Sequence, residues 1–189
     1  MEKGLLIIMS GPSGVGKGTI RAGLMEKYKD LNLFYSISMT TRKPRPGEEN
    51  GREYYFVNRE EFMKQVEEGN LLEWAEFVGN CYGTPIDKVN EKRKEGKNVL
   101  LEIEVNGATQ VLNKLKDDDK VVSIFILPPS LEELEKRIRG RLTESEDVIE
   151  KRLAKCRGEI NKKDHYEYNV VNDSLEKCVD DIRNIILSK

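Results

Sequence analysis

Short apolar runs alternate with helix-like segments along most of this chain. Residues 5–9, 99–103 and 121–127 are nearly unbroken apolar stretches of strand length, the pattern of parallel strands covered on both faces. Residues 17–29 place Ile20, Leu24 and Met25 on one side of a helix, and 105–115 and 131–139 read as further helices. Ser130, with Glu133 three residues on, forms a capping box for the last of these. Residues 169–171 read as a final strand, followed by a helix through Leu187 capped by Asp173 with Glu176. Strands and helices in alternation predict a doubly wound α/β domain with a parallel sheet flanked by helices.

Residues 38 to about 90 break that rhythm. After 34–38 comes a loop, 42–51, rich in proline, glycine and charge, and then a strand at 54–57. Asn58 and Glu61 cap a helix to about Glu68, and 71–77 and 81–84 read as two strands joined by a turn at Gly79-Asn80. A mostly β insertion of this kind predicts a second binding surface folded over the first. Residues 140–146 form another loop between helices, flanked by Arg137, Arg139, Arg141 and Arg152.

The chemistry starts where the first strand ends. Gly11, Pro12, Ser13, Gly14, Val15, Gly16, Lys17, Gly18 and Thr19 lie between that strand and the first helix, the order a phosphate-cradling loop requires. Glycines let the backbone curl so that several N–H groups point at a polyphosphate, and Lys17 and the helix N-terminus add positive charge. The common pattern places Ser or Thr directly after the lysine; here Gly18 stands there, so the hydroxyl that usually reaches magnesium is missing. The loop predicts binding of a nucleoside triphosphate.

Composition narrows the partners. Charged residues make up 35% of the 189 residues, yet the net charge is only −2, which argues against a protein that coats nucleic acid. Cys81, Cys156 and Cys178 are far apart and lack CxxC spacing, so they read as buried small hydrophobes in a reducing, cytoplasmic setting. A lone histidine, His165, builds no metal site, and no apolar run approaches a membrane span.

Further groups carry two readings each. Arg42 and Arg45, with Tyr54 and Tyr82, either converge on a phosphate dianion or form a solvated basic loop. Glu73, in Leu-Glu-Trp-Ala-Glu-Phe at 72–77, either turns inward to meet the adjacent ring N–H and amino group of guanine, or alternates outward. Ser38 and Thr84 offer hydroxyls to the same base, although Thr84 also suits the N-cap of the next helix. Glu102 and Glu104, at the end of the 99–103 strand, either face the crevice, one of them holding magnesium through water, or pair with a nearby cation. Arg137 and Arg141 are four apart and either reach bridging phosphates or remain helix-surface charge.

Together these segments resemble the guanylate kinase family from Leu5 to at least Asp173. The resemblance rests on the phosphate loop at 11–17, Ser-Ile-Ser-Met-Thr-Thr-Arg at 36–42, Pro-Arg-Pro-Gly-Glu at 44–48 and Asn-Gly-Arg-Glu-Tyr at 50–54. It continues in Glu-Trp-Ala-Glu-Phe at 73–77, Tyr-Gly-Thr at 82–84, Gly-Arg-Leu-Thr-Glu-Ser at 140–145 and Val-Asn-Asp at 171–173. It implies a P-loop NTPase-type parallel sheet with an inserted mixed α/β GMP-binding subdomain and a helical lid, in a single domain spanning 1–189. The core would comprise about 1–37, 91–136 and 165–189, the GMP-binding region about 38–90 and the lid about 137–164. It further implies transfer of the γ-phosphoryl group of ATP to GMP or dGMP, with Mg2+. Lys17, Arg137, Arg141 and Arg152 would serve catalysis, and residues 11–19 with Asn172 would bind ATP. Ser38, Arg42, Arg45, Tyr54, Glu73, Tyr82, Thr84 and Glu104 would bind GMP. Three positions depart from the family pattern: Gly18, Glu104 where aspartate is expected, and Leu142 where glycine is expected. Related domains of scaffold proteins hold phosphorylated peptides instead, but the phosphate loop here is intact. The resemblance implies no nucleic-acid or membrane partner and leaves the oligomeric state open.

Overall fold

Alternate residues of the first strand enter different cores. In the computed structural model, which describes residues 2–140 and 145–189, β1 (Leu6–Ser10) is buried along its whole length. Ile7 and Met9 pack with Leu100, Ile124 and Val179, whereas Leu6 and Ile8 pack with Leu101, Phe125 and Val105. This division follows from the period-two geometry of a strand with helices on both faces. Around β1 lie β2 (Leu33–Tyr35), β7 (Asn98–Glu102), β8 (Val121–Leu127) and β9 (Tyr168–Val171). They form a five-stranded parallel sheet of order β2-β7-β1-β8-β9. Helices α1 (Lys17–Lys27) and α7 (Leu175–Leu187) cover one face, and α3 (Ile86–Lys94) and α4 (Val105–Lys114) cover the other. The predicted α/β architecture is therefore the observed one.

The insertion forms a sheet of its own. Strands β3 (Met39–Thr40), β4 (Tyr55–Phe56), β5 (Leu71–Phe77) and β6 (Asn80–Pro85) follow the order β4-β3-β6-β5. Helix α2 (Arg59–Glu67) packs Phe62 against Leu71 and Cys81, and Asn58 caps it by accepting from the Glu61 amide at 2.8 Å, as expected. This sheet is fastened to the core through β5. Leu72 enters the cluster of Leu6 and Ile8, and the Gln110 side chain on α4 bonds both the amide and the carbonyl of Trp74, each at 3.1 Å. Lys114 adds a bond to the Leu71 carbonyl at 2.6 Å. Helices α5 (Leu131–Gly140) and α6 (Glu146–Ile160) build a separate small core from Leu134, Ile138, Ile149, Leu153 and Cys156. Ser130 caps α5 as predicted, accepting from the Glu133 amide at 3.1 Å.

Several boundaries differ from the sequence reading. The β5–β6 turn is Val78-Gly79, not Gly79-Asn80: Phe77 pairs with Asn80, and Val78 (φ 49°) and Gly79 (φ 75°) both take positive φ. A β-branched residue is a rare occupant of that region, so the local signal misplaced the turn. α7 is capped by Ser174, whose hydroxyl faces the Lys177 amide at 3.5 Å, rather than by Asp173. α1 stops at Lys27, and a short 3-10 turn, Lys29–Leu31, follows. β7 ends at Glu102 and lies beside the central β1, while Glu104 is the N-cap residue of α4.

At the opposite end of the sheet from the phosphate loop, a buried cation closes the structure. Arg93 on α3 is 1% exposed, donates to the Gly4 carbonyl at 2.9 Å and the Lys120 carbonyl at 3.1 Å, and pairs with Asp118 at 2.9 Å. The Arg93 hydrogen bond, ahead of every other influence, holds the Asp118 carboxyl far below its usual range. Arg93→Met is expected to lower stability in urea unfolding by about 2–4 kcal/mol, because it takes a donor from the buried Gly4 carbonyl and leaves Asp118, among the described residues, with only Lys3 as a cationic partner. A carboxylate with a depressed folded-state pKa stabilises above its unfolded value and loses that contribution as pH falls. The difference between parent and variant should thus be full at neutral pH and narrow below the ordinary aspartate value of 3.8.

Candidate functional site

The loop between β1 and α1 is held in shape from the far side of the sheet. Gly16 lies at φ 98°, and a Cβ there would come within 2.8 Å of the Asn172 amide nitrogen, so only glycine fits. Asn172 is buried in the turn after β9; its Nδ2 donates to the Val15 carbonyl at 2.9 Å, and its backbone amide donates to Leu127 at 2.8 Å. Gly14 lies against Ile138 and Leu134 of α5. Gly11, Pro12 and Val15 are buried, whereas Ser13 and Thr19 are exposed.

Lys17 folds back over this loop, its Nζ donating to the Gly11 carbonyl at 2.7 Å and to Pro12 at 3.1 Å. Burial pushes its ammonium below the ordinary lysine value, and the nearby charges of Glu102, Glu159 and Glu104 pull the other way. A cation held this way gains when an anion of higher charge arrives. A side chain at Gly18 would point at Glu102, with its Cβ 3.6 Å from Oε1. Glu102 takes the paired alternative: Arg21 Nε lies 2.8 Å from its Oε2 without hydrogen-bond alignment, and the Arg21 guanidinium stacks on Tyr35 at 4.1 Å. Among the described residues, no group of three or more His, Cys, Asp or Glu could hold a metal by itself.

A second constellation lies on the inserted sheet. Arg42 forms a two-pronged pair with Glu48, both contacts at 2.9 Å, and lies over the rings of Tyr54 at 5.3 Å and Phe56 at 5.8 Å. Tyr54 and Tyr82 meet edge to face at 6.0 Å. Arg42, Tyr54 and Tyr82 are therefore together, whereas the Arg45 side chain is exposed and its backbone amide is bound to Glu48 at 2.8 Å. Ser38 lies half-buried between β2 and β3, its carbonyl accepting from the Tyr55 amide at 2.9 Å.

Glu73 is the least ordinary group. The outward alternative is overturned: it is 7% exposed, because a bulge between Leu71 and Trp74 cancels the alternation of β5. The Thr84 hydroxyl donates to its Oε1 at 2.7 Å, so Thr84 spends its hydroxyl here, and Pro85 occupies the N-cap position of α3. Oε2 lies over Gly107 of α4, where a Cβ would approach to 2.8 Å. Burial raises the Glu73 pKa; the Thr84 hydrogen bond lowers it, and the Glu104 charge raises it further. Glu104 itself is largely exposed and faces Lys155 of α6 at 3.6 Å.

The arginines of α5 and α6 are less gathered. Arg137 extends to 3.5 Å from the Asn172 carbonyl, and Arg152 is exposed on α6. Arg141 and Leu142 lie outside the described residues. Arg139 instead joins Glu135 at 2.8 Å and Glu146 at 2.7 Å. Sequence reasoning missed Glu48, Tyr35, Gly107, Gln110 and Glu159. Glu48 carried a signal, an acid close to two arginines on one loop; the other four acquire meaning only through distant partners.

Thr84→Val removes the donor that favours ionised Glu73. The Glu73 carboxyl should then titrate higher, as read by carboxyl NMR. An unchanged titration would show that the hydroxyl does not set the charge of this group.

Comparison with known proteins agrees with this geometry. The guanylate kinase family model matches residues 3–189. A guanylate kinase of Mesoplasma florum is 55% identical over 98% of this chain, which spans 61% of that protein's length. One from Lactococcus lactis is 52% identical over 98% of this chain, which covers 88% of it. The crystal structure of guanylate kinase from Anaplasma phagocytophilum superposes with a TM-score of 0.74 at 35% identity, over 99% of this chain and 86% of that one. A glycine-rich loop closed by Lys17 at the end of β1, a buried carboxylate on an inserted sheet, a family match across residues 3–189 and relatives above half identity over 98% of this chain lead to one assignment: the chain belongs to the guanylate kinase family.

Proposed function

We propose that this chain transfers the γ-phosphoryl group of ATP to GMP, and to dGMP, giving ADP and GDP. Glu73 carries the reading. A buried carboxylate with one hydrogen bond among the described residues is costly to ionise and calls for further donors. Guanine presents a ring N–H and an amino group side by side, matching two carboxylate oxygens, whereas adenine presents an acceptor at the equivalent ring nitrogen. Ser38, Thr84 and Glu104 complete the base site in this reading, and Arg42, Arg45, Tyr54 and Tyr82 hold the GMP phosphate. The exposed position of Glu104 gives its contact with the base the least support of the set.

At the other end of the cleft, residues 11–19 cradle the ATP phosphates, and Asn172 lies beside the ATP base. Lys17, Arg137, Arg141 and Arg152 neutralise charge as the phosphoryl group moves. The attacking oxygen is already an anionic phosphate, so no general base is needed, and positioning and electrostatics supply the rate. Mg2+ neutralises phosphate charge when it arrives with ATP. With Gly18 lacking a hydroxyl and Glu102 paired to Arg21, this chain leaves most of the coordination to phosphate and water. The second sheet belongs to the GMP-binding region (about 38–90), the end of α5 and α6 belong to the lid (about 137–164), and the remainder is the core. No helix among the described residues is long and apolar enough to cross a membrane. The cysteines are buried and free, which fits a reducing cytoplasm.

ADP production from Mg-ATP with GMP, AMP, CMP, UMP and dTMP supplied separately tests the reading, and turnover is expected with GMP alone. A different preferred monophosphate would keep the kinase and remove Glu73 from base recognition. No turnover from folded protein would favour a binding module. Glu73→Gln should raise KM for GMP by at least tenfold, because an amide accepts at only one of two neighbouring donors; unchanged GMP kinetics would refute that role. Gly107→Ala should displace Glu73 from its seat and raise KM for GMP by about tenfold, leaving KM for ATP alone. Equal losses for both substrates would mean that the helix, not the base site, was disturbed.

A further inference from the structure

α6 lies against the phosphate loop and carries a mostly buried carboxylate, Glu159, to which the transfer reaction as described gives no task. Cys156 Sγ rests 3.6 Å from the Ser13 carbonyl, which seats α6 on the loop, and Glu159 follows one turn later. The Glu159 side chain is 13% exposed; Oε1 lies 3.8 Å from Lys155, and Oε2 is buried with no hydrogen-bond partner. The groups whose charge or dipole acts on it are Lys17 and the Ser13 backbone from the phosphate loop, Glu104 from the start of α4, and Lys155 and Cys156 from its own helix. Tyr166, whose hydroxyl is also unpartnered, lies within its field. Its position in the last turn of α6 places it at the negative end of the helix dipole, where a carboxylate gains nothing locally.

Lys17 and the amides of residues 11–16 are the same groups that polyphosphate uses. We propose that Glu159 is a built-in competitor for the phosphate loop: its carboxylate takes part of the field of Lys17 and Ser13, and ATP must displace or outbid it. The reading rests on ATP binding at that loop, as proposed above. Two consequences follow from the geometry. Glu159 weakens ATP binding by its own repulsion of the incoming phosphates. Because Lys155 also faces Glu104, at 3.6 Å, displacing Glu159 alters an ion network that runs through Lys155 to the start of α4.

The test is calorimetric titration of the unaltered chain, E159Q, E159A and E150Q with Mg-ATP in the absence of GMP, followed by steady-state kinetics. Glu150 lies on the same helix, 3.5 Å from Arg139, so E150Q removes an equal charge elsewhere. E159Q and E159A should both bind ATP about tenfold more tightly, the order expected for one charge several ångströms from a polyphosphate. KM for ATP should fall in parallel while kcat and KM for GMP stay within about twofold, and E150Q should match the parent. Unchanged affinity in E159Q, tightening in E159A alone, or an equal effect in E150Q would each overturn the proposal. Weaker binding would overturn it too, since it would mean that Glu159 keeps Lys17 charged and in place. Absence of ATP binding by the unaltered chain would remove the phosphate-loop reading itself, and this proposal with it.

Discussion

Charge held away from water is the constraint on which this molecule turns. Over the first loop burial depresses the Lys17 ammonium, and on the inserted sheet burial raises the Glu73 carboxyl. Each group is thereby held in a state that a ligand of the right chemistry relieves: polyphosphate for the lysine, paired N–H donors for the glutamate. Such groups are expensive to fold around, and the surrounding architecture offsets the cost with hydrogen bonds that leave one valence open. Lys17 spends bonds on Gly11 and Pro12, and Glu73 accepts one from Thr84.

The two ends are placed by different devices. The phosphate loop is fixed by the parallel sheet, because Asn172 after β9 reaches across to Val15 and fills the space that a side chain at Gly16 would need. Glu73 is fixed by docking one edge of the inserted sheet on α4. Leu72 anchors that strand in the core, Gln110 grips the Trp74 backbone on both sides, and Gly107 leaves room for the carboxylate. α4 also follows its N-cap Glu104 just beyond β7, so a single β7–α4 corner joins the strand beside β1 to the helix that carries Gly107 and Gln110. α6 touches both ends, through Lys155 toward Glu104 and through Cys156 toward Ser13.

Much of the fold was legible because its signals are local. β1 and β8 are apolar runs in the middle of a parallel sheet, and the Asn58 and Ser130 caps depend on residues three apart. Errors arose where a local signal pointed to a neighbouring residue. Gly79-Asn80 is the better hairpin sequence, but the register set by β6 against β3 and β5 forces Val78 into the turn. The end of β7 was read one residue late, because Ile103 looks like strand yet lies where the chain turns to begin α4.

The same division holds for the site. The sequence alone determined the α/β alternation, the phosphate loop with its missing hydroxyl at Gly18, and the candidate arginines, tyrosines and Glu73, because spacing and side-chain chemistry are written along the chain. It could not decide whether Glu73 faced inward, whether Glu102 stood alone or paired with Arg21, or that Gly107 and Glu159 mattered at all. Those answers depend on partners tens of residues away: Thr84 and Gly107 against Glu73, Arg21 against Glu102, Lys17 and Ser13 against Glu159. Burial and pairing are properties of three-dimensional neighbours, and only the tertiary structure supplies them.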